Sequence, residues 1–184
     1  MIGLEITNRQ RGVAFDLSFL TDMVQAAHPF CLAALRADSA PLAGLTGIEA
    51  SILSDRMIAQ VHREFFDDPT PTDVITFHHG EILLGAGVVA DNAERFGRSV
   101  DEEAALCLIH GMLHLAGWDD LTPADAGKMA ARQERIFKKF LPRRQSRLTN
   151  TGAAEGTPGR ARPPGGPRFA PPRVNPPIGG CVIF

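Results

Sequence analysis

The chain has 184 residues, 44% of them apolar, and a formal charge of −2, enough for one medium-sized domain with a genuine core. No apolar run approaches the roughly 20 residues needed to span a bilayer. The start, MIGLEITNRQRG, lacks the basic-then-apolar layout of a secretory signal, so a cytoplasmic protein without a membrane role is expected. From Pro142 onward there are seven Arg and a single Glu, a local excess of +6 that leaves −8 on residues 1–141. An acidic body is an awkward surface for a polyanion, so a nucleic-acid substrate would need local basic residues, a metal or the tail to offset repulsion. Cys31, Cys107 and Cys181 show neither metal nor disulfide spacing, and an odd count suits a reducing compartment. Cys107 reads as a small buried apolar side chain.

Residues 2–7 alternate apolar and polar and read as a first strand. From Phe15 to about Ala37, residues Phe19, Leu20, Met23, Val24, Ala27, Leu32 and Leu35 form a helical stripe, with a kink expected at Pro29. Leu45 to Leu53 alternates again, as a strand with one wet face. Ser54 is placed to cap a helix running through Phe66, with Ile58, Val61 and Phe65 inward. A turn over 67–72 leads to a short strand, Asp73 to Phe77, and Gly80 separates it from a pairing strand expected over Glu81 to Ala90.

Ser99-Val-Asp-Glu102 has the form of a capping box, opening a helix to about Ala116. That helix is apolar nearly all round, which predicts a central, buried element presenting only a histidine flank to a cleft. Thr122-Pro123 starts another helix, with Met129, Ile136, Phe137 and Phe140 inward, and Pro142 ends it. The expected architecture is α+β: a small mixed sheet of about four strands packed with about five helices. One folded domain spans 1–141. The tail, 142–184, holds nine Pro and seven Gly without period and is expected to be disordered. Internal repeats and a Gly-rich phosphate loop are both missing from the sequence.

The chemistry concentrates in His110-Gly-Met-Leu-His114-Leu-Ala-Gly117-Trp-Asp-Asp120. Two imidazoles four residues apart share one helix face, about 6 Å apart along the axis, the separation needed to grip one metal ion. Gly117 lets the chain leave the helix in a left-handed turn, so a residue just beyond, Asp120 foremost, can fold back toward the same ion. Three protein ligands leave a position for water, whose pKa a divalent ion can lower to near 7; such a site hydrolyses. Zinc peptidases share this histidine spacing, but their motif places a Glu beside the first His to polarise the water, and here that place is Gly111. The metal reading survives while the proteolytic one loses its general base.

Three segments in order, Pro71-Thr-Asp-Val-Ile-Thr-Phe77, Leu84-Gly-Ala-Gly-Val-Val89 and His110 to Asp120, resemble the Pro-Thr-Asp-Val-Leu-Ser-Phe, Leu-Gly-Asp-Ile and His-Gly-x-Leu-His-Leu-x-Gly-Tyr-Asp-His segments of the YbeY family of bacterial rRNA maturation endoribonucleases. The resemblance spans most of residues 1–140. It implies that His110 and His114 are the first two ligands of a zinc or other divalent ion, with Asp120 where the family has a third histidine. Asp119 is an alternative ligand or a partner for a ligand histidine. An aspartate keeps the donor count but is shorter and charged, which would favour harder ions or raise the pKa of bound water. The family's Arg ahead of Pro-Thr-Asp aligns with Phe66, and Arg63, one turn earlier, is the candidate substitute for binding phosphate; the Asp of Leu-Gly-Asp is here Ala86. His62, His78 and His79 are expected near the cleft, where they could shuttle protons, but a solvent-exposed, passive role is favoured for each; Thr72 and Asp73 are expected to hold the turn rather than touch substrate.

The function implied is a single-strand-specific, metal-dependent endoribonuclease acting on rRNA precursors, particularly the small-subunit 3′ end, in ribosome maturation and quality control. The ribosome or small subunit would be its partner. One competing reading is a degenerate member whose Phe66, Ala86 and Asp120 leave an RNA- or ribosome-binding module with a structural metal. Another is a metal hydrolase acting on some other substrate, disfavoured by the missing Glu at 111.

Overall fold

A computed structural model describes residues 2–141 together with 182–183. Four main strands, β1 (Gly3–Asn8), β2 (Gly47–Leu53), β3 (Val74–Thr76) and β4 (Glu81–Gly85), form a mixed sheet. Six helices surround it: α1 (Leu17–Leu32), the single turn α2 (Pro41–Gly44), α3 (Asp55–Phe66), α4 (Ala86–Phe96), α5 (Val100–Leu115) and α6 (Pro123–Lys138). The sheet order is β1-β2-β4-β3-β5, where β5 is the two-residue strand Val182–Ile183 running parallel to β3. β1, β2 and β4 are mutually parallel and β3 is antiparallel to β4. The expected α+β fold is what forms. Apart from β5, the tail expected to be disordered lies outside the described residues, as does Cys181.

The two sheet faces have different fates. Ile48, Ala50, Ile52, Val74, Ile82 and Leu84 point to one face and join the main core with α1, α4, α5 and α6. Leu53, Ile75, Phe77 and Leu83, alternating with them, point to the other face and pack on Ile58 of α3. Beyond the reach of α3 that second face carries Glu5, Glu49 and Glu81 side by side in register.

Helix α5 runs through the middle of the main core. Ser99 and Glu102 form the expected reciprocal capping box, and every residue from Glu103 to Leu115 is buried. Leu108, Ile109, Met112 and Leu113 are fully enclosed, each worth about 1.5–3 kcal/mol of apolar burial. The one buried carboxylate on this helix, Glu103, accepts from Arg98 at 3.0 Å, and Arg98 also donates to Glu134 of α6 at 2.6 Å. Gly111 lies where α5 meets the sheet: a Cβ there would sit 2.8 Å from Oγ1 of Thr76 and 3.1 Å from Cδ1 of Ile82. The position that carries a general base in zinc peptidases therefore faces β3 and β4, where no acid could fit.

Several elements depart from the sequence expectations. α1 ends at Leu32 and contains Pro29, short of the expected Ala37. β2 loses its wet face after Glu49, because α3 covers Ser51 and Leu53. On α3 the inner position belongs to His62, one turn after Ile58, while Phe65 is 46% exposed and meets Phe77 ring to ring at 5.2 Å. The strand expected over 81–90 stops at Gly85, and 86–96 is helical. No side chain of its own caps α4; Oδ1 of Asp55, from α3, accepts from the Gly87 amide at 2.9 Å. A cap delivered from 32 residues away leaves no local signal in the sequence.

Replacing Gly111 by Ala gains about 1 kcal/mol of helix propensity but forces a methyl against Thr76 and Ile82, a typical overpacking cost of about 1–3 kcal/mol. A net fall in melting temperature of a few degrees is expected, and a calorimetric scan showing G111A more stable than wild type would contradict this packing.

Candidate metal centre

The C-terminal end of α5 builds the site. Gly117 adopts φ of +87°, its amide donates to the His114 carbonyl at 2.8 Å, and the Trp118 amide donates to the Leu113 carbonyl at 3.1 Å. This is a Schellman turn, and it reverses the chain just past the histidines. Two consequences follow for the motif. The Trp118 carbonyl comes within 2.9 Å of Nδ1 of His114, and Asp120 swings back with Oδ2 3.6 Å from Nε2 of His110 and Oδ1 3.9 Å from Nε2 of His114.

His110 is anchored from α6. Gln133 is buried, its Nε2 donates to the Leu106 carbonyl at 3.2 Å, and that bond turns Oε1 toward Nδ1 of His110 at 3.1 Å. Both Nδ1 atoms thus face oxygens that can only accept, so both rings carry their proton on Nδ1. The two Nε2 atoms then present lone pairs to each other at 2.9 Å. Two neutral imidazoles placed that way would repel, and a cation between them would relieve the repulsion. Burial, reinforced by the neighbouring His110, lowers His114 to about 4. A tetrahedral site with bonds of about 2.0–2.1 Å places donors about 3.3 Å apart, and separations of 2.9, 3.6 and 3.9 Å bracket that value. One donor atom from each of His110, His114 and Asp120 lies within 4.8 Å of the others, so the residues present fit a divalent ion. Burial works against the Asp120 carboxylate, but its contact with His110 and the electrostatic pull of His114 and His110 outweigh it and hold its pKa below the usual range.

The other candidates fall outside this cluster. Asp119 is exposed, its carboxylate accepting from the Leu121 amide at 3.3 Å. His62, expected to be exposed, is instead buried, with Nδ1 2.8 Å from the Thr70 carbonyl, because α3 turns it inward against the 67–72 loop. His78 and His79 are exposed, the latter 3.4 Å from Glu81. Arg63 is exposed on the last turn of α3. Cys107 is buried, as expected, and burial pushes the Cys31 thiol up to about 12. Gln133 escaped the sequence reading, although a polar residue four positions after Met129 on an inward stripe was a legible signal.

The profile of the YbeY family, described as Endoribonuclease YbeY, matches residues 5–141. The chain belongs to this family. It is 36% identical over 101 residues to Endoribonuclease YbeY of Nautilia profundicola, covering 50% of this chain and 71% of that protein. To the protein of the same name from Thermosipho melanesiensis it is 36% identical over 101 residues, covering 51% and 73%. The solution structure of TM1509 from Thermotoga maritima shares the fold, with a TM-score of 0.56, 21% identity, and coverage of 86% of this chain and 99% of that one. At the α4 N-terminus, where Ala86 carries no carboxylate, Asp55 brings one from outside.

Thr72 and Asp73 hold the entry to β3. Oδ1 of Asp73 accepts from the Val74 amide at 2.9 Å and from the Thr72 hydroxyl at 3.3 Å, and Nδ2 of Asn92 lies 3.4 Å from Oδ2. Burial pushes Asp73 up to about 6, against the charge of His110 and the Val74 amide. A carboxyl whose pKa is raised in the folded state weakens folding as pH climbs from about 4 to about 6 and leaves the deficit in place above that. Asp73→Asn removes this dependence while keeping the acceptor for Val74. In metal-free protein, D73N is expected to exceed wild type by on the order of 2–3 kcal/mol at pH 7.5 and to match it near pH 4. Urea unfolding at both pH values checks it, the effect of His114 cancelling between the two proteins.

Competition against a chromophoric chelator measures the metal centre directly. Q133L, which frees His110 to change tautomer, is expected to weaken zinc binding about 10–100-fold, and D120A, which removes a ligand, to weaken it further. D120A binding metal as tightly as wild type would remove Asp120 from the site.

Proposed function

We propose that this chain is a single-strand-specific, metal-dependent endoribonuclease that matures rRNA, with zinc as the ion and the small-subunit precursor 3′ end as substrate, working with the ribosome in the cytoplasm. One observation carries the reading: two imidazoles locked in the tautomer that aims both lone pairs at one point, joined there by a carboxylate, in a chain of the YbeY family. His110, His114 and Asp120 would hold the ion. When bound, a divalent ion supplies a Lewis acid and water activated near neutral pH. The protein's own contribution is rigidity. Gln133 and the Trp118 carbonyl fix the rings, the buried α5 fixes the helix, and Asp120 adds a negative charge that favours hard divalent ions over a three-histidine site. Arg63, exposed one turn before Phe66, is the proposed phosphate-binding cation from α3. No helix among the described residues is long and apolar enough to cross a membrane.

The second reading, an RNA-binding module with a structural metal, draws on Phe66 standing where the family has Arg. Purified protein with unstructured RNA, with and without chelator, separates the two. Cleavage that chelator abolishes, that His114→Ala lacks, and that Arg63→Ala reduces about tenfold is expected. Cleavage no greater than that of H114A would leave the binding module.

A further inference from the structure

The geometry points to a phosphate clamp, formed by Arg36 and Arg132 on the ring of Trp118, the residue whose carbonyl orients His114, that grips the backbone of single-stranded RNA. This inference rests on the endoribonuclease reading and deepens it. The guanidinium of Arg36 lies 5.0 Å from the Trp118 ring centroid and that of Arg132 lies 5.3 Å from it. They come from different parts of the chain, Arg36 from the loop after α1 and Arg132 from α6, and converge on one indole.

That indole is rigid. Its Nε1 donates to the Ala34 carbonyl at 2.7 Å, and its backbone carbonyl is the acceptor that orients His114. The residue that carries the two cations is therefore hydrogen-bonded to a proposed metal ligand and stands two positions before Asp120. Stacking occupies the flat face of a guanidinium and leaves its edge N–H groups free, the donors that bind phosphate in pairs. Among the described residues neither Arg36 nor Arg132 has a carboxylate within ion-pairing distance. Asp119 and Asp125 line the groove beside Trp118, but Asp125 is already met by Lys128 at 2.9 Å and by the Thr122 hydroxyl at 2.6 Å.

Electrostatics across the molecule supports the assignment. Residues 1–141 carry −8, and the open part of the α3 face of the sheet bears Glu5, Glu49 and Glu81 in a row, a surface that repels RNA. Two guanidiniums that form no ion pair among the described residues, both on the ring of Trp118, are the local cations such a body needs to hold a polyanion at that spot.

The test is fluorescence anisotropy of a labelled single-stranded oligoribonucleotide, in chelator so that no cleavage intervenes, over a range of salt. Arg36→Gln with Arg132→Gln is expected to weaken binding about tenfold and to flatten the slope of log K against log salt by about 0.7 for each guanidinium lost. The same change on the loop after β1, Arg9→Gln with Arg11→Gln, is expected to leave both unchanged. Zinc affinity and melting temperature, measured on each protein, report whether the site and fold persist. If R36Q/R132Q is unstable, R36K/R132K, which keeps charge but loses the fork, is expected to retain the salt slope with weaker binding. No RNA binding by wild type, an unaltered slope in R36Q/R132Q, or an equal loss in R9Q/R11Q overturns the clamp. Cleavage by wild type with binding untouched in R36Q/R132Q removes the clamp and leaves the nuclease; binding that depends on both arginines without cleavage does the reverse.

Discussion

Two nitrogen lone pairs held 2.9 Å apart are the constraint around which this molecule is arranged. Left alone they repel, and each ring would escape by rotating or by moving its proton. Neither escape is open: Gln133 and the Trp118 carbonyl each hold an Nδ1–H, and removing either partner would leave a buried donor unsatisfied. A cation between the rings would relieve that juxtaposition, and the free energy of its binding would be coupled to the rigidity of the shell around the rings.

That rigidity originates in the core. α5 is enclosed by α1, α4, α6 and the sheet, and Gly111 lets it approach Thr76 and Ile82 more closely than any other residue would allow. The Arg98 bridge between Glu103 and Glu134 ties the start of α5 to α6, and the residue before Glu134 is Gln133. The same helix pair that fills the core therefore sets the tautomer of His110. A destabilising change in this packing would reach the metal centre before it unfolded the protein.

Charge has been segregated in step with this geometry. The sheet face that α3 leaves open gathers carboxylates in register, while Arg36 and Arg132 meet on the ring of Trp118, whose carbonyl orients His114. As a ligand, Asp120 would bring a negative charge to the candidate centre and leave it less positive than a third neutral donor would. Elsewhere too a carboxylate arrives through space: Ala86 has none, and Asp55 brings one to the α4 N-terminus.

What was legible in the sequence was whatever is written locally. The capping box at Ser99, the all-round apolar character of α5, the four-residue histidine spacing, the Gly117 turn and the return of Asp120 all follow from helix periodicity and backbone conformation, which adjacent residues determine. What escaped was written across distance. The strand expected to run on to Ala90 overlaps the start of α4, because the α4 cap resides on α3; Phe65 is expected inward because the choice between it and His62 depends on how α3 meets the sheet. Gln133 and the Arg36–Trp118–Arg132 group join residues 23 and 96 positions apart. Sequence alone therefore determined which side chains could bind a metal, since donor spacing on one helix is a local property. Tertiary structure alone decided which nitrogen faces the ion and which cations stand beside it, because hydrogen-bond partners and ring contacts are set only when separate elements pack.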